Sequence, residues 1–332
     1  MGTRAALAAF REGRFAAYAR RLVRRRTRRL ARFVWGPTVW WRRALASDRW
    51  LRASTPFLRS IGRKPTLPYI EMHLVDHCNL NCRSCSHYSP VSPERFASPG
   101  EADRDFARLA GLFRRVAEVR LMGGEPLLHP DLDRFVIAAR RRLPNSRIAL
   151  VTNGLRLASQ PDSFWDLLAA QRVELQVTSY PIVLDRGLIK SRAAEHGVAC
   201  RFSARVRRFR TVPMDPDGTR DPDEMYRLCG AQRRCPFLRD GAVYLCARIG
   251  MSGLLADRFA AHLPIGSCDR SVLDEVRDGY DVLRFLAVGA PWCRFCRRDA
   301  TYDFDWSRSR GSSDEWILPA ADPPCPGDPT SP

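Results

Sequence analysis

The feature that most constrains this chain is a short loop with three cysteines, Cys78, Cys82 and Cys85, in the spacing C-x3-C-x2-C. The loop follows an apolar, strand-like segment at 69–75. Thiolates at this spacing can bind three corners of a cubane [4Fe-4S] cluster and leave the fourth iron without a protein ligand. Because an open iron can bind a small molecule, the spacing indicates a catalytic metal site. The alternatives are a structural zinc knuckle and buried free thiols, but zinc sites favour paired Cys-x2-Cys units and a closed fourth ligand.

A second motif, GGEP, lies downstream of this loop and consists of Gly123, Gly124, Glu125 and Pro126. It follows another strand-like segment, 119–122. Glycines let backbone approach a ligand closely, and Glu125 supplies a negative partner for an ammonium group. By itself GGEP is also compatible with an ordinary turn, so its weight comes from its position after the cysteine loop.

Together, the cysteine loop and GGEP resemble the signature of radical S-adenosylmethionine (radical SAM) enzymes. The resemblance implies that Cys78, Cys82 and Cys85 hold a SAM-binding [4Fe-4S] cluster, and that GGEP holds the methionine amino group. In this family one electron cleaves SAM to methionine and a 5′-deoxyadenosyl radical, which abstracts hydrogen from a substrate carbon. The family usually has an aromatic residue before the third cysteine. Here Ser84 stands there, and Tyr88 or His87 is expected to contact the adenine instead.

Strand-like and helix-like segments alternate through the middle of the chain, which predicts an α/β fold with a parallel sheet and covering helices. The resemblance specifies this fold as a partial (β/α)6 radical SAM barrel. Ligands of such folds bind at the carboxyl ends of strands. Asn153 and Ser179 each end a predicted strand, and by resemblance we expect them near the ribose and methionine of SAM. The predicted helices are 103–116, 132–143, 163–170 and 185–196, and the predicted strands are 118–122, 147–152, 173–179 and 198–203.

A second group of cysteines follows the predicted barrel. A hairpin strand at 241–245 is expected to bring Cys246 back beside Cys235, and a distant Cys-x2-Cys completes a closed four-thiolate site for zinc or a second Fe–S cluster. The arrangement resembles the twitch and SPASM extensions of radical SAM enzymes, which implies a second [4Fe-4S] cluster. Five cysteines compete for four positions, and they are Cys229, Cys235, Cys246, Cys293 and Cys296. The spare one, Cys229 or Cys235, is a candidate hydrogen-atom donor to a substrate radical.

The positive charge of the chain is concentrated at its start. Residues 1–65 contain 18 Lys and Arg against two acids, a net of +16, whereas the whole chain is +19. Projected as a helix, 14–34 places arginines on one face and apolar residues on the other, with tryptophans following up to position 50. This pattern favours a helix lying on an anionic membrane. A solvated helix packed on the enzyme body, a nucleic-acid contact and a transit peptide are the alternatives.

Four regions are therefore expected. They are a basic amphipathic extension (1–65), the radical SAM barrel (66–225), an auxiliary-cluster region (226–306) and a disordered tail rich in Ser, Asp and Pro (307–332). Cluster ligation by so many cysteines fits a reducing cytoplasm, with peripheral contact at the inner membrane face through 14–50. Cys200, Cys268 and Cys325 have no partner spacing and are expected to be isolated thiols.

Resemblance to twitch-type enzymes of carbohydrate, polysaccharide and aminocyclitol pathways implies a sugar-like substrate that undergoes epimerisation or dehydrogenation, and the amphipathic N-terminal helix favours a lipid-linked form of it. Peptide modification is the first alternative. A non-catalytic Fe–S or zinc protein that binds RNA is an alternative of another class, which GGEP argues against. The expected redox partner is a flavodoxin or a ferredoxin.

Overall fold

The computed structural model describes residues 48–229 and 235–318, with side chains from residue 51 onward. The predicted helix at 14–34, most of the expected membrane contact at 14–50, and Cys325 lie outside the described residues. The chain divides into two compact units between residues 54 and 55. The fold described below is that of the second unit.

The helices and strands alternate as the sequence predicts. The helices are α1 (Asp48–Ser60), α2 (Pro99–Leu112), α3 (Leu132–Arg142), α4 (Asp162–Ala170), α5 (Arg186–Glu195), α6 (Pro222–Leu228), α7 (Ala247–Gly250), α8 (Ser252–Phe259) and α9 (Gly279–Ala287). The strands are β1 (Thr66–Leu67), β2 (Ile70–His73), β3 (Arg115–Val116), β4 (Glu118–Met122), β5 (Arg147–Thr152), β6 (Val173–Val177), β7 (Cys200–Phe202), β8 (Arg208–Thr211), β9 (Phe237–Arg239), β10 (Ala242–Tyr244), β11 (Arg270–Val272) and β12 (Tyr302–Asp305).

An eight-stranded mixed sheet has the strand order β11-β10-β9-β2-β4-β5-β6-β7. Strands β2, β4, β5, β6 and β7 are parallel, and α2, α3, α4 and α5 connect them in turn. Parallel neighbours need such helical crossovers. The predicted α/β class is confirmed. The next strand, β8, does not extend this parallel series, because it pairs antiparallel with β12 in a separate two-stranded sheet.

The strand and helix bounds follow from burial and capping. Side chains buried at less than 1% exposure alternate along β4, with Val119 and Leu121 facing the core. Helix α2 begins four residues before the predicted start, because Ser98 caps it by accepting from the Glu101 backbone N–H and Pro99 occupies the first turn. Apolar spacing alone does not reveal that capped first turn.

The hairpin β9–β10 extends the sheet on the other side of β2. Its turn residues Asp240 and Gly241 both have positive φ, 50° and 74°, as a two-residue hairpin turn requires. Strand β9 pairs parallel with β2, with Phe237 beside Glu71. The strand that leads into the cysteine loop therefore also carries the region of the second cysteine group.

The described part of the predicted disordered tail, 307–318, is ordered, so that prediction is wrong for these residues. Glu315 and Trp316 are buried, at 1% and 0% exposure. Backbone hydrogen bonds join the segment to the cysteine loop and to the chain three residues beyond the end of β8. The Ser309 N–H donates to the Asn81 carbonyl, and the Met214 N–H donates to that of Trp316. Two tryptophan-bearing stretches, around 306 and 316, provide apolar area that the polar composition conceals.

Candidate metal centres

The cysteine loop begins directly after β2, at the carboxyl end of the parallel strands. Three of its residues, Asn81, Ser84 and Tyr88, have left-handed φ values of 51°, 53° and 56°. Such conformations cost about 1 kcal/mol or more each and persist where the surroundings hold them. The loop is thus wound tightly by its contacts with neighbouring segments.

The two glycines of GGEP allow this loop to approach β4. The Gly124 N–H donates to the Val75 carbonyl at 2.7 Å, and the Glu125 N–H donates to that of His77 at 3.2 Å. A Cβ on Gly123 would lie 2.5 Å from the Val75 oxygen, and one on Gly124 would lie 2.0 Å from the His77 oxygen. Close approach of the loop backbone therefore requires these glycines, independently of any ligand.

Glu125 joins the end of β4 to the end of β5. Its buried carboxylate accepts from the Thr152 hydroxyl at 2.6 Å, the Asn153 N–H at 2.8 Å and the Leu127 N–H at 3.1 Å. Thr152 Oγ1 accepts from the Gly154 N–H, so its proton is directed to Glu125. Burial raises the pKa of Glu125 to about 7, and the donors oppose that rise. Its neighbour Pro126 opens a short 3-10 helix capped by Glu125.

Asn153 carries the connection from β5 to the cysteine loop. Its Nδ2 donates to Asn79 Oδ1 at 2.8 Å and lies 3.6 Å from Cys78 Sγ. Its Oδ1 accepts from the Leu155 N–H, which fixes the amide orientation. The structure thus brings Asn153 to the first predicted cluster ligand.

Ser179 lies at the end of β6, as predicted, but its hydroxyl is occupied by the chain. It donates to the Ser203 carbonyl at 2.8 Å and accepts from Arg186. Its backbone N–H donates to Ser203 Oγ at 2.9 Å. Ser179 therefore ties the ends of β6 and β7 together at the same edge as Asn153.

Tyr88, predicted to contact adenine, packs in the core at 0% exposure. Its hydroxyl lies 3.4 Å from the Arg248 carbonyl, on α7. Tyr88 therefore leaves no surface for an adenine ring, and that prediction is wrong. The His87 ring packs edge-to-face on His73 at 4.6 Å, and burial lowers its pKa to about 4.

Two tryptophans that sequence reasoning missed contact the cysteine loop. The Trp306 indole N–H points to Cys82 Sγ at 3.1 Å, and the Trp316 indole N–H donates to the Cys85 carbonyl at 2.9 Å. Burial raises the pKa of Cys78 to about 11 and that of Cys82 to about 12. Loading a metal cluster must therefore displace thiol protons.

The second cysteine group forms a pocket with four thiols, those of Cys229, Cys246, Cys293 and Cys296. The other lining residues are mostly apolar or aromatic, and they are Met225, Tyr226, Leu245, Ile249, Trp292 and Arg298. Burial, together with the neighbouring Cys296, raises the pKa of Cys246 to about 12. We call this the rear pocket.

Cys235 does not line the rear pocket. It precedes β9, and the Pro236 carbonyl accepts from Glu71 N–H, so Cys235 is level with Tyr69 at the amino end of β2. At about 3.3 Å per residue, this is about 13 Å behind the carboxyl end of that strand. Cys235 is therefore unsuited as a hydrogen donor at the strand ends, and Cys229 joins the other pocket thiols.

A buried cation, Arg248, lies next to the rear pocket. It is 2% exposed and donates to the Val212 carbonyl, while its Nε has no hydrogen-bond partner among the described residues. The groups beside it that can carry negative charge include Cys246 and Cys296. A buried charge without compensation is costly. Thiolates in the rear pocket would compensate it.

The side chains of the two sites bear on which metal group each could hold. In 48–229 and 235–318, no three Cys, His, Asp or Glu side chains converge tightly enough for a single metal ion. Zinc needs such a closed set, whereas a cubane spreads its thiolates over a larger body. The cysteine loop offers three thiols, the number that a [4Fe-4S] cluster with one open iron needs, and the rear pocket offers four, the number that would close one. Cys200 is half-buried and Cys268 exposed, and neither lines the rear pocket.

Comparison with known families places the cysteine loop, GGEP and Asn153 within one matched segment, because the Radical SAM superfamily model matches residues 72–185. Residues 72–185 are a radical SAM domain. The predicted recognition and enzyme class are confirmed at the level of this domain, whose superfamily implies a [4Fe-4S] cluster and SAM. The twitch or SPASM extension lies beyond the matched residues.

Curated relatives include a GTP 3′,8-cyclase of Mycobacterium marinum, 35% identical over 120 residues, which are 35% of this chain and 32% of the relative. Molybdenum cofactor biosynthesis protein 1 of Drosophila melanogaster is 34% identical over 112 residues, 32% of this chain and 19% of the relative. The chain thus spans about a third or less of these relatives' lengths. Their names contradict the predicted sugar epimerisation or dehydrogenation and the peptide-modification alternative. The match to the Radical SAM superfamily model contradicts the non-catalytic alternative.

Solved structures similar to this chain include BtrN in complex with AdoMet and 2-DOIA, with 15% identity and a TM-score of 0.45, covering 77% of this chain and all of BtrN. Streptococcus suis SuiB bound to S-adenosylmethionine is 19% identical with a TM-score of 0.35, covering 46% of this chain and 37% of SuiB.

None of the described helices combines the length and the apolar composition that a membrane span requires.

Proposed function

We propose that the protein is a radical SAM enzyme with two [4Fe-4S] clusters that acts on a purine nucleoside triphosphate, with GTP as the first candidate. The observation that carries the proposal is the three-cysteine loop held against GGEP and Asn153. This loop supplies three soft ligands and leaves a fourth position open.

Cys78, Cys82 and Cys85 would hold the SAM cluster, which when bound supplies one-electron cleavage of SAM and hydrogen abstraction from the substrate. The chain's own residues position and enclose this chemistry. Glu125 fixes Asn153 through a backbone bond of 2.8 Å, and Asn153 in turn bonds Asn79 beside Cys78. The ends of β4 and β5 are thereby held in fixed register with the loop.

Cys229, Cys246, Cys293 and Cys296 would hold the second cluster in the rear pocket. Four thiolates close the coordination of a cubane, so this cluster suits electron transfer or substrate contact better than SAM binding. The buried Arg248 cation, which makes no ion pair among the described residues, supports an anionic occupant. A reductant of the flavodoxin or ferredoxin type would supply electrons.

The substrate proposal rests on the relatives and on the charge near the strand ends. Relatives that share the radical SAM domain are named as GTP 3′,8-cyclases. A triphosphate needs cationic side chains. Arg156 follows β5 and lowers the pKa of Glu125 against the effect of burial, Arg186 bonds Ser179, and Arg83 lies over the Phe304 ring at 5.0 Å.

The test uses the full chain, reconstituted without oxygen and reduced, with SAM and GTP that carries deuterium at C3′. A 3′,8 ring closure requires loss of the C3′ hydrogen, so the proposal expects deuterium in the 5′-deoxyadenosine that forms. ATP and CTP with the same label are the matched controls for base recognition. If unlabelled 5′-deoxyadenosine forms at the same rate with and without GTP, the protein cleaves SAM as proposed but GTP is not its substrate.

A further inference from the structure

The described end of the chain encloses the cysteine loop through a set of contacts that we treat as one element, the strap, residues 306–316. The Arg83 N–H donates to the Ser307 carbonyl at 2.9 Å, and the Ser309 N–H donates to that of Asn81 at 2.8 Å. Cys82 and Arg308 form an antiparallel bridge. The strap thus pairs with the loop as a short second strand, on both sides of Cys82.

Ser84, which departs from the usual aromatic residue of the family, is a main attachment point of the strap. Its hydroxyl donates to the Glu315 carbonyl at 2.7 Å, and its backbone N–H lies 3.3 Å from Glu315 Oε2. The other carboxylate oxygen of Glu315 accepts from Arg310 N–H at 2.6 Å. Ser84 is buried at 5% exposure, and its short side chain brings the hydroxyl to the Glu315 carbonyl, so the unusual residue fits the strap.

We propose that the strap is a positioning element for the cluster of the cysteine loop, and that the Trp306 indole N–H raises the reduction potential of that cluster by hydrogen bonding to Cys82. This inference rests on the proposed SAM-cluster ligands. The indole N–H lies 3.1 Å from Cys82 Sγ. Reduction adds negative charge to the cluster and its thiolates, so a donor to sulfur stabilises the reduced state more than the oxidised one.

The experiment compares Trp306→Phe with Trp316→Phe in the full chain. Both variants remove an indole N–H, but only Trp306 directs it to a ligand sulfur, since Trp316 donates to the Cys85 carbonyl at 2.9 Å. Each is made in a Cys293→Ala/Cys296→Ala background, so that any iron belongs to the cysteine loop. Iron content, the electron paramagnetic resonance spectrum and the midpoint potential are then measured.

Trp306→Phe should lower the midpoint potential, decreasing the reduced-to-oxidised ratio at a fixed potential about five-fold, as for one ordinary hydrogen bond. Trp316→Phe should leave the potential unchanged. Equal potentials in the parent and in Trp306→Phe would overturn the proposal. If Trp306→Phe binds no iron, an unchanged unfolding temperature of the iron-free protein still supports the strap, whereas a lowered one would make Trp306 only a packing residue and overturn it.

The buried carboxylate of the strap, Glu315, provides a second variant. Glu315→Ala should release loop iron to a chelator about 10-fold to 100-fold faster, the range typical of groups that orient ligands. Asp314→Ala is the matched control, because Asp314 is exposed and its ion pair with Arg310 is 3.5 Å long. Equal release in both variants would overturn the strap's role. Failure of the ligand assignment is distinguishable, because Cys78→Ala/Cys82→Ala/Cys85→Ala would then keep all its iron.

Discussion

The cysteine loop and the rear pocket surround their sulfurs in opposite ways. In the loop, sulfur contacts come from neutral donors, such as the Trp306 indole at 3.1 Å and the Leu80 N–H at 3.4 Å. In the rear pocket, aromatic and aliphatic side chains surround four thiols, with the buried Arg248 cation beside them. Neutral dipoles suit a site that must admit a ligand, whereas a buried cation beside an apolar pocket would offset the negative charge of its thiolates.

The largest expected effect separates the two sites by removing the loop thiols. Cys78→Ala/Cys82→Ala/Cys85→Ala should abolish SAM cleavage, because no open iron remains, and should lower iron from about eight to about four per chain. Iron analysis and chromatography of 5′-deoxyadenosine measure both. Cys268→Ala, which removes an exposed thiol, is the control. Undiminished SAM cleavage in the triple variant would show that the loop thiols do not hold the SAM cluster, and the contrast between the two sites would then fail.

The next effect tests membership of the rear pocket. Cys229→Ala should lose the rear cluster, about four irons per chain, while Cys235→Ala should keep it, because only Cys229 lines the pocket. Iron content and the resonance spectrum of the rear cluster distinguish the variants. If Cys235→Ala alone loses that cluster, the pocket assignment is wrong and Cys235 is the ligand.

The substitution Arg248→Met tests whether the rear pocket depends on a full charge, in contrast to the neutral donors of the cysteine loop. Without metal, replacing this buried charge, which has no ion-pair partner in the part of the chain that the structure describes, by an apolar side chain should leave the free energy of unfolding unchanged or raise it by about 1–4 kcal/mol. With both clusters bound, the variant should lose stability and the midpoint potential of the rear cluster should fall, while that of the loop cluster stays constant. Denaturation with and without clusters measures the change in the free energy of unfolding that the substitution causes. If this change has the same sign in both states, Arg248 does not balance the charge of the rear cluster.

The smallest effect concerns Glu125 and its pH dependence. Thr152→Val removes one donor to a buried carboxylate and should cost about 1–3 kcal/mol. Burial already holds the pKa of Glu125 at about 7, above its ordinary value of 4.5, so its contribution to stability declines as pH rises from about 4.5 through 7. Losing the donor raises this pKa further, so the variant should lose more stability at pH 8 than at pH 5. Ser159→Ala, an exposed hydroxyl, should show no such change.

Sequence patterns predicted the local features well. The bounds of β4 and β5 are as expected, because alternating apolar residues and flanking turn residues determine them. GGEP and Asn153 were placed correctly at strand ends, since parallel strands direct their carboxyl ends to one edge. The predicted hairpin formed through Asp240 and Gly241, whose turn chemistry is local.

Contacts between residues far apart in the chain could not be predicted from these local patterns. The fully buried Tyr88 turns into the core because the loop adopts a left-handed φ of 56° there, which sequence alone does not reveal. The choice between Cys229 and Cys235 depended on the parallel pairing of β9 with β2. The prediction of a disordered tail is wrong for 307–316 because the polar composition there hides the fully buried Trp316, which contacts the distant Cys85.

The strap also has a consequence for the timing of assembly in the cell. Trp306 lies 224 residues after Cys82. At about 5–20 residues per second, a ribosome needs roughly 10–45 s to travel that distance. Throughout this interval the nascent chain has its loop thiols without the segment that covers them, open to oxidants and to incorrect metals. Iron–sulfur insertion is therefore expected after the strap has emerged, and oxygen during translation should harm this protein more than oxygen after it.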